Sequence, residues 1–445
     1  MSLSIPALIM LAAALSPANP NTPADSNAPA AGKTAPTVAS LSADEAAAMV
    51  TGLLPKVEEL RGMKFKHPVP VKVVDDAAAK THFKTRMKKY WTESQMKAEE
   101  AAYTQLGLLP AGSDVESTLF SVLEEQAGGY YDPESDTFFV LGDMPRSIAP
   151  VLMVHELTHA LDDQYFGIDG MFEKAMKDND ASAMVGAVVE GSGTLVMTRY
   201  LLGELQAGRM SPDVLTDLAG TDAGRAEKLM ASPQVLQRSL IAPYVLGQTF
   251  ILHGDLLRAA LPTPVADIDR LFADPPVSTE QLLHPEKYWD PAKKDLPRPV
   301  ALPDGAAILG EGWTMQGEGR LGELTLAVLA GAEPVDFKSV EAAMPARWTN
   351  AAASGWGGDA WRLYARANGQ GSTQRVTLLT TLWDTPADAE EFEAALAKAD
   401  GTGVSRRHWR RDATVVMVAG DAGQRADALA EAAFKTAEEG SGSAK

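Results

Sequence analysis

The chain contains no cysteine. That absence excludes disulfide bonds, thiolate metal sites, a cysteine nucleophile and a lipid-modified N-terminal cysteine, so any metal must be held by His, Asp and Glu. Positive charge is also scarce: 40 Lys and Arg face 59 Asp and Glu, a formal net charge of −19. This balance argues against nucleic acid or an anionic membrane surface as the main partner. The apolar run at residues 5–15 is too short to cross a bilayer, which takes about 20 apolar residues, so no stable membrane insertion is expected from it. Followed by small residues, it has the form of a secretory h-region and cleavage zone. Residues 1–18 are therefore expected to be a signal peptide and the protein to be secreted or periplasmic. Residues 19–40 carry almost no large apolar side chain and read as a disordered linker, because they cannot bury enough surface to fold.

The remainder has an ordinary globular balance, 45% apolar and 22% charged over 445 residues, enough for two or three domain cores. Ser42 is a candidate N-cap for a first helix, and residues 68–76 alternate like a strand. Residues 77–107 read as one long helix stopped at Gly107. Its basic cluster, Lys84, Arg86, Lys88 and Lys89, interleaved with Phe83, Tyr90 and Trp91, reads as a solvated amphipathic face rather than an anion site. Asp132-Pro133-Glu134-Ser135 supplies turn chemistry for a hairpin within 125–143, and helical text follows at 147–166 and 180–206. Proline density climbs towards residue 300, which sets the expected end of a mainly helical domain at 41–300. Beyond it, helical text at 321–332 and 339–348, paired strands at 359–366 and 374–383, a helix capped by Thr385, a strand at 413–420 and a last helix at 425–439 predict a smaller α+β domain over 301–437, with 438–445 a disordered tail. The fold class is thus α+β.

The chemistry concentrates in "VLMVHELTHALDDQYFG", residues 151–167. Residues four apart share a helix face, so His155 and His159 can meet one ion while Glu156 points aside, placed to act as general base on a metal-activated water. Zinc held this way lowers the pKa of its water towards about 7. Multiplying residue frequencies gives such a pattern by accident in about one chain in a hundred. Its flanks are apolar, which places the histidines in a dry environment where polar groups need partners.

A third ligand candidate is Glu190, the one charge in "ASAMVGAVVEGSGTLVM" at 181–197. A lone buried carboxylate costs several kcal/mol unless something positive compensates it, and metal ligation would do so; a wet position or a pairing with Arg199 would also explain it. Gly191 and Gly193 suggest close backbone packing there. The continuation after His159 carries Asp162 and Tyr165 where a metzincin needs Gly and His. Asp162 and Asp163 read as supporting partners of the ligands or as a solvated helix end.

These residues carry a resemblance. His155-Glu156-xx-His159 with Glu190 on the next helix resembles the gluzincin, thermolysin-like branch of zincin metallopeptidases, over roughly residues 45–300, and "HELTHALDDQYFG" with "AVVEGSGTL" is similar to bacterial HExxH proteins of that clan. The resemblance implies a zincin-like catalytic domain with one Zn2+ per chain on His155, His159 and Glu190, and Glu156 as base. It also implies an edge strand at Gly129, Tyr130 and Tyr131 along which an extended peptide pairs. The sequence departs from the thermolysin pattern at Thr194, where that pattern has an Asp orienting a zinc histidine.

An oxyanion donor is also required. His284 is taken as that residue, with Tyr288, Tyr244 and Tyr200 as further choices. His67, His82, His253 and His408 have no partner in the sequence. The expected function is zinc-dependent hydrolysis of peptide bonds in a peptide or protein substrate. The alternatives are a catalytically weak or silent zincin scaffold that binds a partner protein, and hydrolysis of a non-peptide amide.

Overall fold

The computed structural model describes residues 41–442 apart from 124–127, 177, 222–227, 256, 259–260, 338–341, 343, 369–371 and 400–404. The expected signal peptide and linker lie outside the described residues.

Helix α1 (Ala43–Arg61) starts at Ser42, whose hydroxyl accepts the Glu45 N–H while the Glu45 carboxylate accepts the Ser42 N–H. After β1 (Val71–Val74), the single helix expected over 77–107 is instead two, α2 (Asp76–Tyr90) and α3 (Glu93–Leu106). The break lies at Thr92, which forms a second reciprocal cap with Gln95 and so starts a new helix in a new direction. Gly107 ends α3 in the left-handed conformation. Helix α4 (Val115–Leu123) precedes the expected hairpin of β2 (Gly129–Asp132) and β3 (Thr137–Leu141). β1 pairs with β3 in parallel, giving the order β1-β3-β2 and leaving β2 on an edge.

Among the described residues the bulk of the first half is built by α5 (Ala149–Phe166), α6 (Ile168–Ala175), α7 (Asn179–Gln206), α8 (Asp213–Thr221), α9 (Gln234–Ile251), α10 (Val265–Ala273) and α11 (Thr279–Leu283), with shorter helical turns between them. Helix α7 is long and apolar enough to cross a membrane, but 78% of its apolar window is buried inside the protein. It is the central rod. One end packs with α9, α10 and α11 and the other with α1, the small sheet and α5.

The second half is a five-stranded antiparallel sheet made by β4 (Thr314–Gly319), β5 (Trp356–Ala367), β6 (Thr373–Trp383), β7 (Arg406–Arg411) and β8 (Thr414–Gly420), in the order β4-β5-β6-β8-β7. The longer helices packed on it are α12 (Gly322–Leu329), α13 (Pro386–Ala399) and α14 (Ala426–Gly442). Alternation along β8 sorts the two faces: Val415 and Met417 pack with α13, and Val416 and Val418 with α14. Strand β7, "RRHWRR", was not legible as a strand; its arginines blunt an exposed sheet edge. Residues 438–442, Glu-Glu-Gly-Ser-Gly and expected to be tail, continue α14 despite two poor helix formers, and 443–445 lie outside the described residues.

The boundary expected near residue 300 is not a boundary of packing. Ala98, Ala102 and Leu106 of α3 share a core with Trp361, Leu379 and Phe392 of the sheet half. In the other direction, Leu324, Phe337 and Trp348 complete the core around α7 and α9. An ionic pin crosses the same seam: Lys287 Nζ lies 2.5 Å from Glu280, 2.9 Å from Asp295 and 3.6 Å from Asp384. These three carboxylates are spaced as if for a metal ion, and the ammonium already supplies the cation.

The tightest helix crossing sets the position of α7. A methyl group on Gly191 would come within 2.5 Å of the Gly247 carbonyl carbon on α9, and one on Gly247 within 2.2 Å of the Ala187 carbonyl oxygen. Gly203, exposed on the same helix, has nothing within 4 Å. Gly247→Ala should therefore lower stability by about 1–3 kcal/mol, because two backbones must part. Gly203→Ala should raise it by about 0.5–1 kcal/mol by removing unfolded-state entropy. Urea midpoints of the two variants measure this, and equal shifts of one sign would refute the crossing as the constraint.

Candidate metal centre

Helix α5 is buried from Val151 to Asp162, as its apolar flanks implied, so both histidines sit in the interior: His155 is 2% exposed and His159 4%. Their Nε2 atoms lie 2.9 Å apart, and Glu190 Oε2 from α7 lies 3.1 Å from the first and 3.4 Å from the second. The structure thus brings the three sequence-predicted ligands together. Arg199 instead contacts Thr263 and the Arg258 carbonyl, so the pairing with Glu190 that would have explained the carboxylate without a metal is not made.

Three lone pairs converging at such spacing repel unless a cation or shared protons lie between them. Tetrahedral zinc with bonds of about 2.0–2.1 Å has ligand–ligand edges of about 3.3 Å, close to the observed separations. By number, chemistry and spacing, the donor set fits zinc.

Gly193 seats the rings. A methyl group at that position would come within 2.8 Å of Cε1 of both imidazoles and 2.9 Å of His155 Nδ1. Among the described residues, no partner accepts from the buried Nδ1 atom of either histidine, and Thr194 Oγ1 at the departed Asp position has none either. Orientation is therefore supplied by packing against the backbone of α7 rather than by the usual carboxylate or carbonyl.

Asp162 is held elsewhere. Its carboxylate accepts from Arg61 Nε at 2.7 Å and Ser192 Oγ at 2.6 Å, clamping α5 to α1 and α7. Burial pushes its carboxyl above the ordinary value against the opposing pull of Arg61 and Ser192. Asp163 accepts from the Tyr131 hydroxyl at 2.8 Å and the Ile168 N–H at 2.6 Å. Burial raises its carboxyl too, and raises the Tyr131 phenol further with help from Asp163.

Tyr131 binds the edge strand to α5 twice over, since its backbone N–H also donates to Glu156 Oε2 at 2.8 Å. Glu156 Oε1 is buried without a partner among the described residues. Tyr130 and Tyr131 line a cavity of about 470 Å³ that reaches His159 and Glu190, whereas His155 and Glu156 lie behind these residues and are not among those lining it. Gly129 is not among the lining residues. Its role is steric, because a methyl group there would lie 2.3 Å from the Phe139 carbonyl oxygen of β3.

Of the basic cluster expected on a solvated face, Lys84, Lys88 and Lys89 are exposed and Arg86 is turned inward. Helix α2 roofs the cavity, and the face it turns to it carries Arg86 together with His82, Phe83 and Tyr90. Arg86 reaches Glu134 and Asp169 at 2.5 Å each, Asp132 at 3.4 Å, and donates to the Tyr90 hydroxyl. Burial opposes its charge, but the Asp169 contact and the neighbouring acids outweigh that and hold it firmly protonated. His82 stacks on Tyr130 with centroids 4.8 Å apart, and burial lowers its pKa despite Asp132. The signal was the apolar and aromatic spacing 83, 87, 90, 91, which reads equally as core or as cavity lining.

His284 is not among the residues lining the cavity. Its Nε2 lies 3.0 Å from Glu323 Oε1 at the seam with the second half, and that carboxylate raises its pKa against a burial that would lower it. Tyr288 donates to the Asp274 carbonyl, and Tyr200 packs with Met197 and Leu201. Of the four residues considered as donors, Tyr244 lines the cavity, its ring nearly parallel to His155 at 6.1 Å.

A family model described as a domain of unknown function, DUF8575, matches residues 312–435, the sheet half, which contains none of the three ligands. Neither curated proteins nor solved structures give a match.

If Gly193 is the seat of both rings, Gly193→Ala should weaken zinc binding about 10–100-fold, the cost of disturbing what orients a metal histidine. Competition with a chromophoric chelator gives the affinity, with Gly203→Ala as the control. An unchanged dissociation constant for Gly193→Ala would remove the role assigned to the glycine.

Proposed function

We propose that the protein is a zinc-dependent peptidase in which His155, His159 and Glu190 hold the metal and Glu156 is the general base. The observation carrying this reading is the buried convergence of two imidazole nitrogens and one carboxylate oxygen within 3.4 Å of one another, beside a second carboxylate that is not part of the trio. Bound there, zinc supplies a Lewis acid and a water acidified towards neutrality.

The chain's own groups have separable tasks. Glu156 takes the proton of the attacking water at Oε1, while the Tyr131 N–H holds Oε2 and so fixes how the carboxylate is turned. The same contact ties the base to β2, so a peptide laid along the strand is registered against Glu156 by one residue. Tyr244 takes the donor task expected of His284: its hydroxyl polarises the carbonyl oxygen and steadies the charge that develops there. The aromatic roof of α2 and Tyr130 excludes bulk water, which strengthens each of these interactions.

A second reading, a zinc-holding scaffold with weak or no hydrolysis, is favoured by the unpartnered Nδ1 atoms and by Thr194. The two readings separate in one experiment. The purified protein should carry about one zinc per chain and cleave members of an unbiased peptide library. Glu156→Gln should keep the zinc and lose cleavage by about 10²–10⁴-fold, while Tyr244→Phe should lower kcat more than it changes KM. Zinc retained by a wild type that cleaves nothing assigns the scaffold, and a chain that binds no zinc removes both.

A further inference from the structure

Behind the metal centre the cavity continues into an inner chamber of about 390 Å³. The two spaces meet at Met87, Trp91, Glu99, Asn179 and Leu240. Aliphatic side chains wall the chamber, and Leu321 and Leu324 from the sheet half close one side of it. Its charged lining consists of Glu99, Glu100 and Asp180; no Lys or Arg is among the described residues that line it.

Two of these acids are engaged in holding the fold. Glu100 accepts the Val115 N–H at the start of α4. Asp180 accepts from the Thr279 N–H and hydroxyl and faces Arg320 at 3.4 Å. Glu99 differs. It stands at the junction of the two spaces, which Trp91 also lines, with no cation paired to it among the described residues and with the side chains of Tyr103 and Asn179 hydrogen-bonded to it. Burial pushes its carboxyl up to about 7 against the hydrogen bonds from Tyr103 and Asn179. A half-buried carboxylate without a paired cation, in an otherwise largely apolar space that Trp91 and Tyr103 also line, complements an alkylammonium group through charge, with the aromatic rings as further favourable neighbours.

We propose that the inner chamber receives an ammonium group of the substrate, a lysine side chain or a free N-terminus, on Glu99 beside Trp91 and Tyr103. This rests on the peptidase reading above and adds a substrate class to it. Helix α7 is the ruler: Asn179, Ser182, Gly186, Val189 and Glu190 line the cavity along one stripe. Eleven residues separate Asn179 from Glu190, about 16 Å of helix. An extended peptide covers that distance in about five residues, and a lysine side chain shortens the count to about three. The ammonium therefore belongs three to five residues from the bond that is cut, and its source sets which.

The test uses a peptide cleaved by the wild type, remade with lysine, norleucine or glutamate at each of the five positions on either side of the bond, each with a free or acetylated N-terminus. At one position, lysine should be preferred over norleucine by about tenfold to a hundredfold in kcat/KM, the worth of a charged hydrogen bond. If the terminal amine is the group, acetylation gives that loss instead. In Glu99→Gln the selectivity ratio should collapse towards one. In the wild type it should grow as pH rises through about 7, because a protonated Glu99 must lose its proton before it can pair with a cation. Equal use of lysine and norleucine at every position, together with indifference to acetylation, would overturn the proposal, whether or not Glu99→Gln folds. Where nothing is cleaved, calorimetric binding of the same peptides to Glu156→Gln decides. A preference for the cationic member keeps the chamber's role while the peptidase reading fails, and no preference ends it.

Discussion

Glu190 reaches the two imidazoles because helix α7 passes its neighbours at the crossing with hydrogen in place of side chains. Gly191 lets α7 touch α9 at Gly247, backbone against backbone, and Gly193 gives up the volume into which both rings are pressed. These contacts fix α7 in depth and rotation, and depth and rotation decide where a single carboxylate lands. Arg61 and Ser192 on Asp162 then lock α5 to the same rod. The convergence of three donors is thus a product of helix packing as much as of the donor residues themselves.

Much of this was legible in the sequence. The i, i+4 spacing of His155 and His159, the apolar flanks, and a lone carboxylate in apolar text single out without coordinates the three residues that converge, since each states a physical demand that a metal would satisfy. The paired strands at 359–366 and 374–383 and the helix capped by Thr385 followed from period-2 alternation and cap chemistry in the same way. Thr92 and Gln95 form a capping box that was also on the page; continuous helix formers on both sides obscured it. The roof of α2 was not legible, because an aromatic stripe reports burial without saying whether it faces a core or a cavity. His284 shows the same limit from the other side: a histidine before a proline at a helix end has a clear local reading and no information about Glu323, thirty-nine residues on. The partner of Gly191 on α9 lies still further along the chain, beyond any local pattern.

Most of the charge in and around the cavity is already paired. Near its mouth Arg86 is surrounded by Asp132, Glu134 and Asp169, so the one strongly basic group of the roof is neutralised. At the lining and just behind it, Asp163 and Tyr131 are occupied with each other, and Glu156 keeps one oxygen uncommitted among the described residues. A cavity whose cation is silenced and whose acids are mostly engaged presents few charges to a ligand, and each one left over carries correspondingly more discrimination.

The elbow at Thr92 has a consequence for how the two halves of the chain can be inherited. Helix α3 leaves the roof of the cavity and surrenders its apolar face, Ala98, Ala102 and Leu106, to the sheet that closes the chain more than two hundred residues later. Each half therefore keeps part of the other's interior, and neither could be transplanted by cutting at the proline-rich stretch without carrying a raw hydrophobic wound. A sheet of this kind found in another protein would need a substitute for α3, and a helical half of this kind would need something to stand where Leu324, Phe337 and Trp348 now stand.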